Sequence, residues 1–149
     1  MSISTWPQVG RAVAGLLSLP VKAESSGTAT DACLEHFRNK HVYVNSFTVS
    51  QRDMFDSVLR VTGTSESEWK VEHEDVKQRY ADGVEAMKKG DRMGFAKMMY
   101  GRVFYTDGSG DFESSKGTVN QLLGLPMEEI DEFTAIAIER SKAPSPWNK

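Results

Sequence analysis

The sequence predicts an α/β fold that is rich in helix and holds two or three short strands. The chain has 149 residues, of which 39% are hydrophobic and 26% are charged, as is typical of a soluble globular domain. Apolar residues recur at helical spacing in several windows, whereas strand-like alternation is confined to two short segments. Because two strands do not form an independently stable sheet, we expect sequence outside this chain to supply a larger one.

The first predicted helix starts at Thr5 or Trp6 and ends before Pro20. We favour a helix over a secretory signal with an apolar core at 12–21, because the apolar residues keep the spacing of one helical face. The face that we expect to be buried holds Val9, Ala12, Val13, Leu16 and Leu17. The segment 22–31, rich in Ser, Thr and Ala, is predicted to be a surface loop.

A helical turn over 33–38 and a strand over 41–47 are predicted next, the strand from its β-branched and aromatic residues. Ser50 and Asp53 resemble a capping box, in which each side chain satisfies a backbone amide of the other residue. They predict the start of a helix that ends at Gly63, since glycine readily takes the left-handed conformation that closes helices.

A second capping signal, Ser65 with Glu68, precedes the alternating segment 69–73, which is predicted to be a short edge strand. Two longer helices are predicted to follow over 75–89 and 92–104. Their predicted buried residues are Val76, Tyr80, Val84 and Met87 in the first helix, and Phe95, Met98, Met99 and Val103 in the second.

Turn-forming residues dominate the segment 105–117, which is predicted to be a loop. A short helix is predicted over 119–124. A last helix is predicted from Pro126, with acidic residues in its first turns and basic residues at its end, the order that complements the helix dipole. The tail 143–149 is predicted to be frayed.

Charge and cysteine content argue against several classes of function. The formal net charge is −3 and the basic residues are scattered, so we expect no nucleic-acid partner. No apolar run is long enough to cross a membrane. Cys33 is the single cysteine and the histidines are dispersed, so neither an internal disulfide nor a zinc site is predicted. A reducing, cytoplasmic compartment is expected.

The sequence lacks a glycine fingerprint for a dinucleotide. Gly10 and Gly15 lie inside a helical pattern with no strand before them, and acidic residues follow Gly108 and Gly110. No spacing of Ser, His and Asp sets a nucleophile beside a base. We therefore predict no bound cofactor, no metal site and no catalytic residue for this chain alone.

Methionine and aromatic residues cluster on the helix predicted over 92–104 and directly after it. Core packing is one explanation, because a helix in a small domain buries such a face. A substrate wall is the other, because methionine adapts to apolar ligands and a tyrosine hydroxyl can orient a polar group. The candidate substrate-binding residues are Met98, Met99, Tyr100, Phe104, Tyr105 and Asp111.

Residues 39–63, which read NKHVYVNSFTVSQRDMFDSVLRVTG, resemble the late strand and helix of NmrA-like, isoflavone-reductase-like proteins. Residues 102–113, RVFYTDGSGDFE, and residues 117–126, GTVNQLLGLP, are similar to the fungal members in particular. The resemblance extends from about residue 9 to residue 142. Such proteins are atypical short-chain dehydrogenases, in which a Rossmann domain binds NADP(H) and a smaller C-terminal region closes over the substrate.

The resemblance implies that the chain is a single domain or a fragment, the C-terminal part of a Rossmann-type NmrA-like fold. Residues 1–62 would be a late helix, a loop, a strand and a helix of the Rossmann-like half, and the strand at 42–47 would join its sheet. Residues 63–142 would be the helical region that covers the substrate. The catalytic lysine and the glycine fingerprint lie earlier in the family pattern and have no counterpart here.

The leading functional hypothesis is the substrate-binding portion of an NAD(P)-dependent oxidoreductase of fungal secondary metabolism, acting on a small, mainly apolar metabolite and inactive alone. The alternative is a stand-alone, cofactor-free domain that binds a ligand or partner, or isomerises a substrate through Tyr100, Tyr105 and Asp111. A regulatory sensor is a third hypothesis. Where the Rossmann half would sit, we expect the chain alone to expose an apolar face that promotes association, self-association included, and that is built from Val9, Val13, Leu16, Val42 and Val44.

Overall fold

A computed structural model describes residues 1–23 and 32–143, which form two compact units. The helical unit consists of Met1, Val49–Gly110 and Glu129–Lys149, and the mixed unit consists of Ser2–Thr48 and Asp111–Glu128. Most of the predicted loop over 22–31, and the predicted tail beyond residue 143, lie outside the described residues.

The described residues contain six α-helices and two strands of two residues each, which confirms a helix-rich α/β class. In chain order the elements are β1 (Ser2–Ile3), α1 (Trp6–Leu17), β2 (Phe47–Thr48), α2 (Gln51–Thr62), α3 (Val76–Lys88), α4 (Arg92–Arg102), α5 (Phe112–Lys116) and α6 (Ile130–Ser141). Two 3-10 turns, Leu34–Phe37 and Glu66–Glu68, confirm the predicted helical turn over 33–38 and the second capping signal.

The sheet is smaller than the sequence predicts. β1 pairs with β2 in antiparallel orientation, with Ile3 opposite Phe47. The predicted strand over 41–47 is therefore wrong except at its last residue. The predicted edge strand over 69–73 is also wrong, because within the part of the chain that the structure describes this segment pairs with no other strand.

Side chains satisfy backbone groups of Val44 and Asn45, whereas the Ser46 amide donates to the Ile3 carbonyl of the neighbouring strand at 2.8 Å. The Ser4 hydroxyl donates to the Val44 carbonyl at 2.8 Å. The Asn120 side chain accepts from the Asn45 amide at 3.2 Å and donates to the Asn45 carbonyl at 2.7 Å, as a paired strand would. Because these polar groups are already paired, the β-forming residues do not build a ladder here.

Capping side chains define the helix ends that local sequence signals predict. The N-caps of α1, α2, α3 and α4 are Thr5, Ser50, Asp75 and Asp91. The predicted capping box of α2 is confirmed, since the Asp53 carboxylate accepts from the Ser50 amide at 2.8 Å. Gly63 closes α2 with a φ of 67°, which a residue with a side chain rarely adopts.

The bounds of α1 match the prediction, and its buried face matches in part. Ala12 is buried as predicted, but Gln8 is 1% exposed, whereas Val9, Val13 and Leu17 are 43%, 51% and 69% exposed. The rest of the predicted stripe is wrong because the side-chain amide of Gln8 has hydrogen-bond partners inside the mixed unit. A buried amide with partners costs little free energy, so the polar face of the helix can turn inward.

The helix α2 packs against α6 through a buried hydroxyl group. Ser57 is fully buried, donates to the Asp131 carboxylate at 2.7 Å and lies 2.8 Å from the Thr134 hydroxyl. Arg60 donates twice more to the same carboxylate, at 2.7 and 2.8 Å. These hydrogen bonds from Arg60 and Ser57 lower the pKa of Asp131 to about 2. The carboxylate therefore stays ionised and joins the two helices.

Two segments near the C-terminus differ from the prediction. The helix α5 lies inside the predicted loop over 105–117, and α6 begins later than the predicted start at Pro126. The predicted helix over 119–124 is wrong, since the chain makes turns there. Gly117 and Gly124, with φ of 73° and 59°, bound this stretch in a backbone conformation that an α-helix does not contain.

Glycines bring the backbones of α3 and α4 into direct contact. A Cβ atom at Gly83 would lie 2.6 Å from a backbone nitrogen of α4, and one at Gly94 would lie 2.5 Å from a backbone nitrogen of α3. No side chain larger than hydrogen fits between the helices at this point. The predicted apolar stripe of α4 is therefore wrong in part, because Phe95 and Met99 are 51% and 45% exposed.

Replacing Gly83 with alanine should lower the free energy of unfolding by about 1–3 kcal/mol, because the added methyl group overpacks the helix contact. Alanine would otherwise be favoured over glycine inside a helix by about 1 kcal/mol. Gly10→Ala in α1 is the matched control, since a Cβ atom there meets nothing within 4 Å and should be stabilising. Urea denaturation measures both changes. Equal stabilisation by the two variants would contradict the backbone contact.

Candidate ligand-binding groove

A groove in the helical unit contains two of the six predicted substrate-binding residues. It consists of two hollows, of about 420 and 320 Å³, whose walls share Gln51 and Glu72. The walls of the larger one, the aromatic hollow, include Arg52, Phe55, Glu66, Trp69, Val71 and His73. The walls of the smaller one, the polar hollow, include Glu74, Val76, Arg79, Tyr100, Gly101 and Phe104.

Three stretches of chain build the groove: the start of α2, the segment 66–74, and the facing ends of α3 and α4. The close approach of α3 and α4 continues at Gly101, where a Cβ atom would lie 3.5 Å from the Tyr80 nitrogen. This approach holds the last turn of α4 against the first turns of α3. Tyr100 and Phe104, on either side of Gly101, consequently line the polar hollow.

An aromatic pair shapes the larger hollow. The Phe55 and Trp69 rings meet edge to face, with centroids 5.8 Å apart and an interplanar angle of 83°. The Trp69 indole nitrogen donates to the Thr64 hydroxyl at 2.8 Å, which fixes the direction of the ring. Because Trp69 remains 44% exposed, part of its surface is open to a ligand.

Ion pairs neutralise the charged wall of the aromatic hollow. Arg52 donates to Glu66 at 2.9 and 3.0 Å and pairs with Asp56 at 2.9 Å. Hydrogen bonding to Arg52, followed by its positive charge, lowers the pKa of Glu66. The guanidinium carbon also lies 5.6 Å from the centre of the Phe55 ring. With its donors engaged, Arg52 is poorly placed to hold an anionic ligand.

The polar hollow presents acceptors and a hydroxyl group. Arg79 donates to the Glu74 carboxylate at 2.6 Å, and the Lys97 ammonium lies 3.3 Å from the same group. The hydrogen bond from Arg79 lowers the pKa of Glu74 more than any other interaction, so this side chain remains a carboxylate. Tyr100 is 60% exposed and offers a ring and a hydroxyl group to a ligand.

The other four predicted residues lie outside the walls of the two hollows. Met98 and Met99 belong to α4, and Tyr105 packs edge to face on Tyr80 with ring centres 5.9 Å apart. Asp111 belongs to the mixed unit, where it caps α5. A substrate-binding role for these four residues stays a prediction.

Sequence reasoning missed most of the aromatic hollow. It placed Phe55 in a predicted helix and Trp69 in a predicted edge strand, and it gave no role to Arg79. In the segment WKVEHE one large aromatic side chain stands among charged residues. In the structure this side chain is 44% exposed and lies in the wall of the aromatic hollow.

The mixed unit holds a buried polar cluster around Glu128. Its side chain is 5% exposed and accepts from Ser46 at 2.6 Å, Thr5 at 2.7 Å and Arg11 at 2.7 Å. Burial alone would raise the pKa of Glu128, but these hydrogen bonds lower it overall. The cluster joins Glu128 to Thr5 and Arg11 within the mixed unit, which is a structural task.

Across residues 1–23 and 32–143, no three His, Cys, Asp or Glu side chains are placed to hold a metal ion. None of the helices in the same residues combines the length and the apolar character needed to span a membrane.

Comparison with known proteins relates the chain to the oxidoreductases. It is similar to Oxidoreductase aprR of Aspergillus flavus, with 26% identity over 134 residues. The aligned region covers 90% of this chain and 39% of the relative, so the chain corresponds to a minor part of that protein. No protein-family model and no solved structure matches the chain.

Proposed function

We propose that the chain is the C-terminal, substrate-binding portion of an NmrA-like NAD(P)-dependent oxidoreductase. In this proposal residues 1–62 belong to a Rossmann-like half and residues 63–142 cover the substrate. NADP(H) binds to a nucleotide-binding half outside the chain, so that the chain is inactive alone. The substrate is a small, mainly apolar and aromatic metabolite.

The groove of the helical unit is the observation that carries this proposal. Its hollows, of about 420 and 320 Å³, have the size of sites for small molecules. The Phe55 and Trp69 pair offers an apolar wall for a planar ring, and Tyr100 and Glu74 can orient a polar group. An apolar wall with a few placed polar groups is typical of sites for small ligands.

An exposed apolar face of α1 supports the proposal that a nucleotide-binding half packs on this helix. Trp6, Val9, Val13 and Leu17 follow one another at helical spacing and are 80%, 43%, 51% and 69% exposed. A continuous apolar face of this kind favours association. In the proposed oxidoreductase the nucleotide-binding half packs on this face, and in the chain alone the face promotes self-association.

Ligand binding to the groove can be measured through Trp69. The sequence holds three tryptophans, so Trp6→Phe and Trp147→Phe leave Trp69 as the only indole. Titration with 2-naphthol, a planar apolar phenol, should change its fluorescence in a saturable way. Phe55→Ala should weaken binding by about two- to tenfold, the loss expected for one aromatic contact.

Phe95→Ala is the matched control for this experiment. Phe95 is 51% exposed on α4 and lies outside the walls of both hollows. The variant Phe95→Ala should leave the affinity for 2-naphthol unchanged. An equal loss in both variants, or no saturable signal in the starting protein, would count against the groove as a substrate site.

NADPH should not bind to the chain alone. Pyrophosphate binding needs free amides at a glycine-rich helix start, whereas the capping box of α2 already occupies its first amides. A ligand at a hundredfold excess over its dissociation constant would stabilise the protein by about 2.7 kcal/mol, which raises Tm by roughly 2–5 °C. Differential scanning fluorimetry with millimolar NADPH checks this. A dose-dependent rise of that size would mean that the chain has its own nucleotide site.

Val13→Lys should weaken self-association through the α1 face, because it places a charge in the centre of an apolar surface. The average molar mass measured by light scattering at several concentrations should fall, and so should the fluorescence of 1-anilinonaphthalene-8-sulfonate. Val21→Lys is the matched control, since Val21 is 69% exposed but lies outside α1. If Val13→Lys leaves both signals as they are, the face does not drive association.

A further inference from the structure

The segment 69–74 is exposed, and the chain is extended at both ends of it. It begins at Trp69, with φ of −115° and ψ of 141°, and leads to Asp75, which caps α3 with φ of −63° and ψ of 125°. Among the described residues, no backbone group of residues 70–74 makes a hydrogen bond. A row of free amides and carbonyls is a template for pairing with another strand.

The side chains of this segment are exposed as well. Trp69 and Val71 are 44% and 45% exposed, and the side chains of Lys70 and Glu72 are 87% and 72% exposed. Lys70 and Glu72 form an ion pair with each other. Because both ions are open to water, this pair is worth little and can exchange for a pair between two chains.

The sequence of the segment is complementary to itself in antiparallel orientation. Side chains alternate between the two faces of an extended chain, so Trp69, Val71 and His73 share one face. With a two-fold axis at Val71, the opposing pairs are Val71 with Val71 of the second copy, Lys70 with Glu72 of the second copy, and Trp69 with His73 of the second copy. Apolar, opposite-charge and aromatic pairs of this kind stabilise a sheet.

Other registers are less favourable. A shift that centres the axis on Glu72 sets two carboxylates opposite each other, and one that centres it on Lys70 sets two ammonium groups opposite each other. If the axis lies between Val71 and Glu72, Val71 lies opposite Glu72 of the second copy, so apolar and charged side chains share one face. The axis at Val71 is the register in which all pairs between residues 69 and 73 of the two copies are compatible.

We propose that two copies of the chain associate by antiparallel pairing of residues 69–73 around Val71. The contact is small, because stable interfaces bury about 1,200–2,000 Å² and a two-stranded ribbon is marginal by itself. The dimer is therefore weak and dynamic, with a defined register. It uses the backbone edge of the segment, and it depends neither on the proposed oxidoreductase function nor on the α1 face.

Disulfide trapping in a Cys33→Ser background tests the register. Directly opposite residues of antiparallel strands have Cα atoms about 4.5–5.5 Å apart, within the range that a disulfide spans. Val71→Cys should therefore cross-link to itself under mild oxidation. Lys70→Cys and Glu72→Cys should each cross-link to themselves at least roughly tenfold more slowly. Each of these residues lies diagonally across from its own copy, at a distance that a disulfide does not span. A mixture of these two variants should give mainly the mixed dimer, which mass spectrometry distinguishes.

Charge reversal provides the control. In the Val71→Cys background, Lys70→Glu should slow cross-linking by setting like charges opposite each other, and the double change Lys70→Glu with Glu72→Lys should restore it. Circular dichroism melting verifies that each variant is folded. Equal cross-linking at all three positions would indicate random collision and overturn the proposal. So would the absence of a Val71→Cys dimer at millimolar protein.

Discussion

The backbone contact between α3 and α4 determines where the groove can form. With only hydrogen atoms between the helices at Gly83 and Gly94, the helices approach more closely than larger side chains allow. Side chains that would normally separate two helices point away from the contact, and Phe95 is half exposed as a result. The same approach brings Tyr100 and Phe104 beside Arg79, so the polar hollow depends on two positions that carry no side chain.

The starts of α1, α2, α3 and α4 were predictable because their causes are local. A hydroxyl or carboxylate at Thr5, Ser50, Asp75 or Asp91 reaches amides two or three residues away, and no distant part of the chain is needed. The same holds for Gly63, whose φ of 67° closes α2. Tyr100 and Phe104 were found as candidates because aromatic residues on a helix end are visible in the sequence.

The buried faces and the sheet were not predictable because their causes are remote. Gln8 turns inward since its amide donates to the Pro126 carbonyl, 118 residues away along the chain. Asn45 takes the side chain of Asn120 in place of a neighbouring strand, across 75 residues. Trp69 was missed for the same reason, because the aromatic hollow exists only once separate stretches of chain meet. Hydrophobic periodicity carries no information about such pairings.

The mixed unit buries polar residues and exposes apolar ones. Gln8 and Asn45 are 1% and 4% exposed, while Trp6 on α1 is 80% exposed. Polar residues normally cover a domain and large apolar ones fill it. The buried amides are tolerated because each has hydrogen-bond partners. A partner surface on α1 would cover the exposed apolar residues of that helix, which supports the proposed nucleotide-binding half.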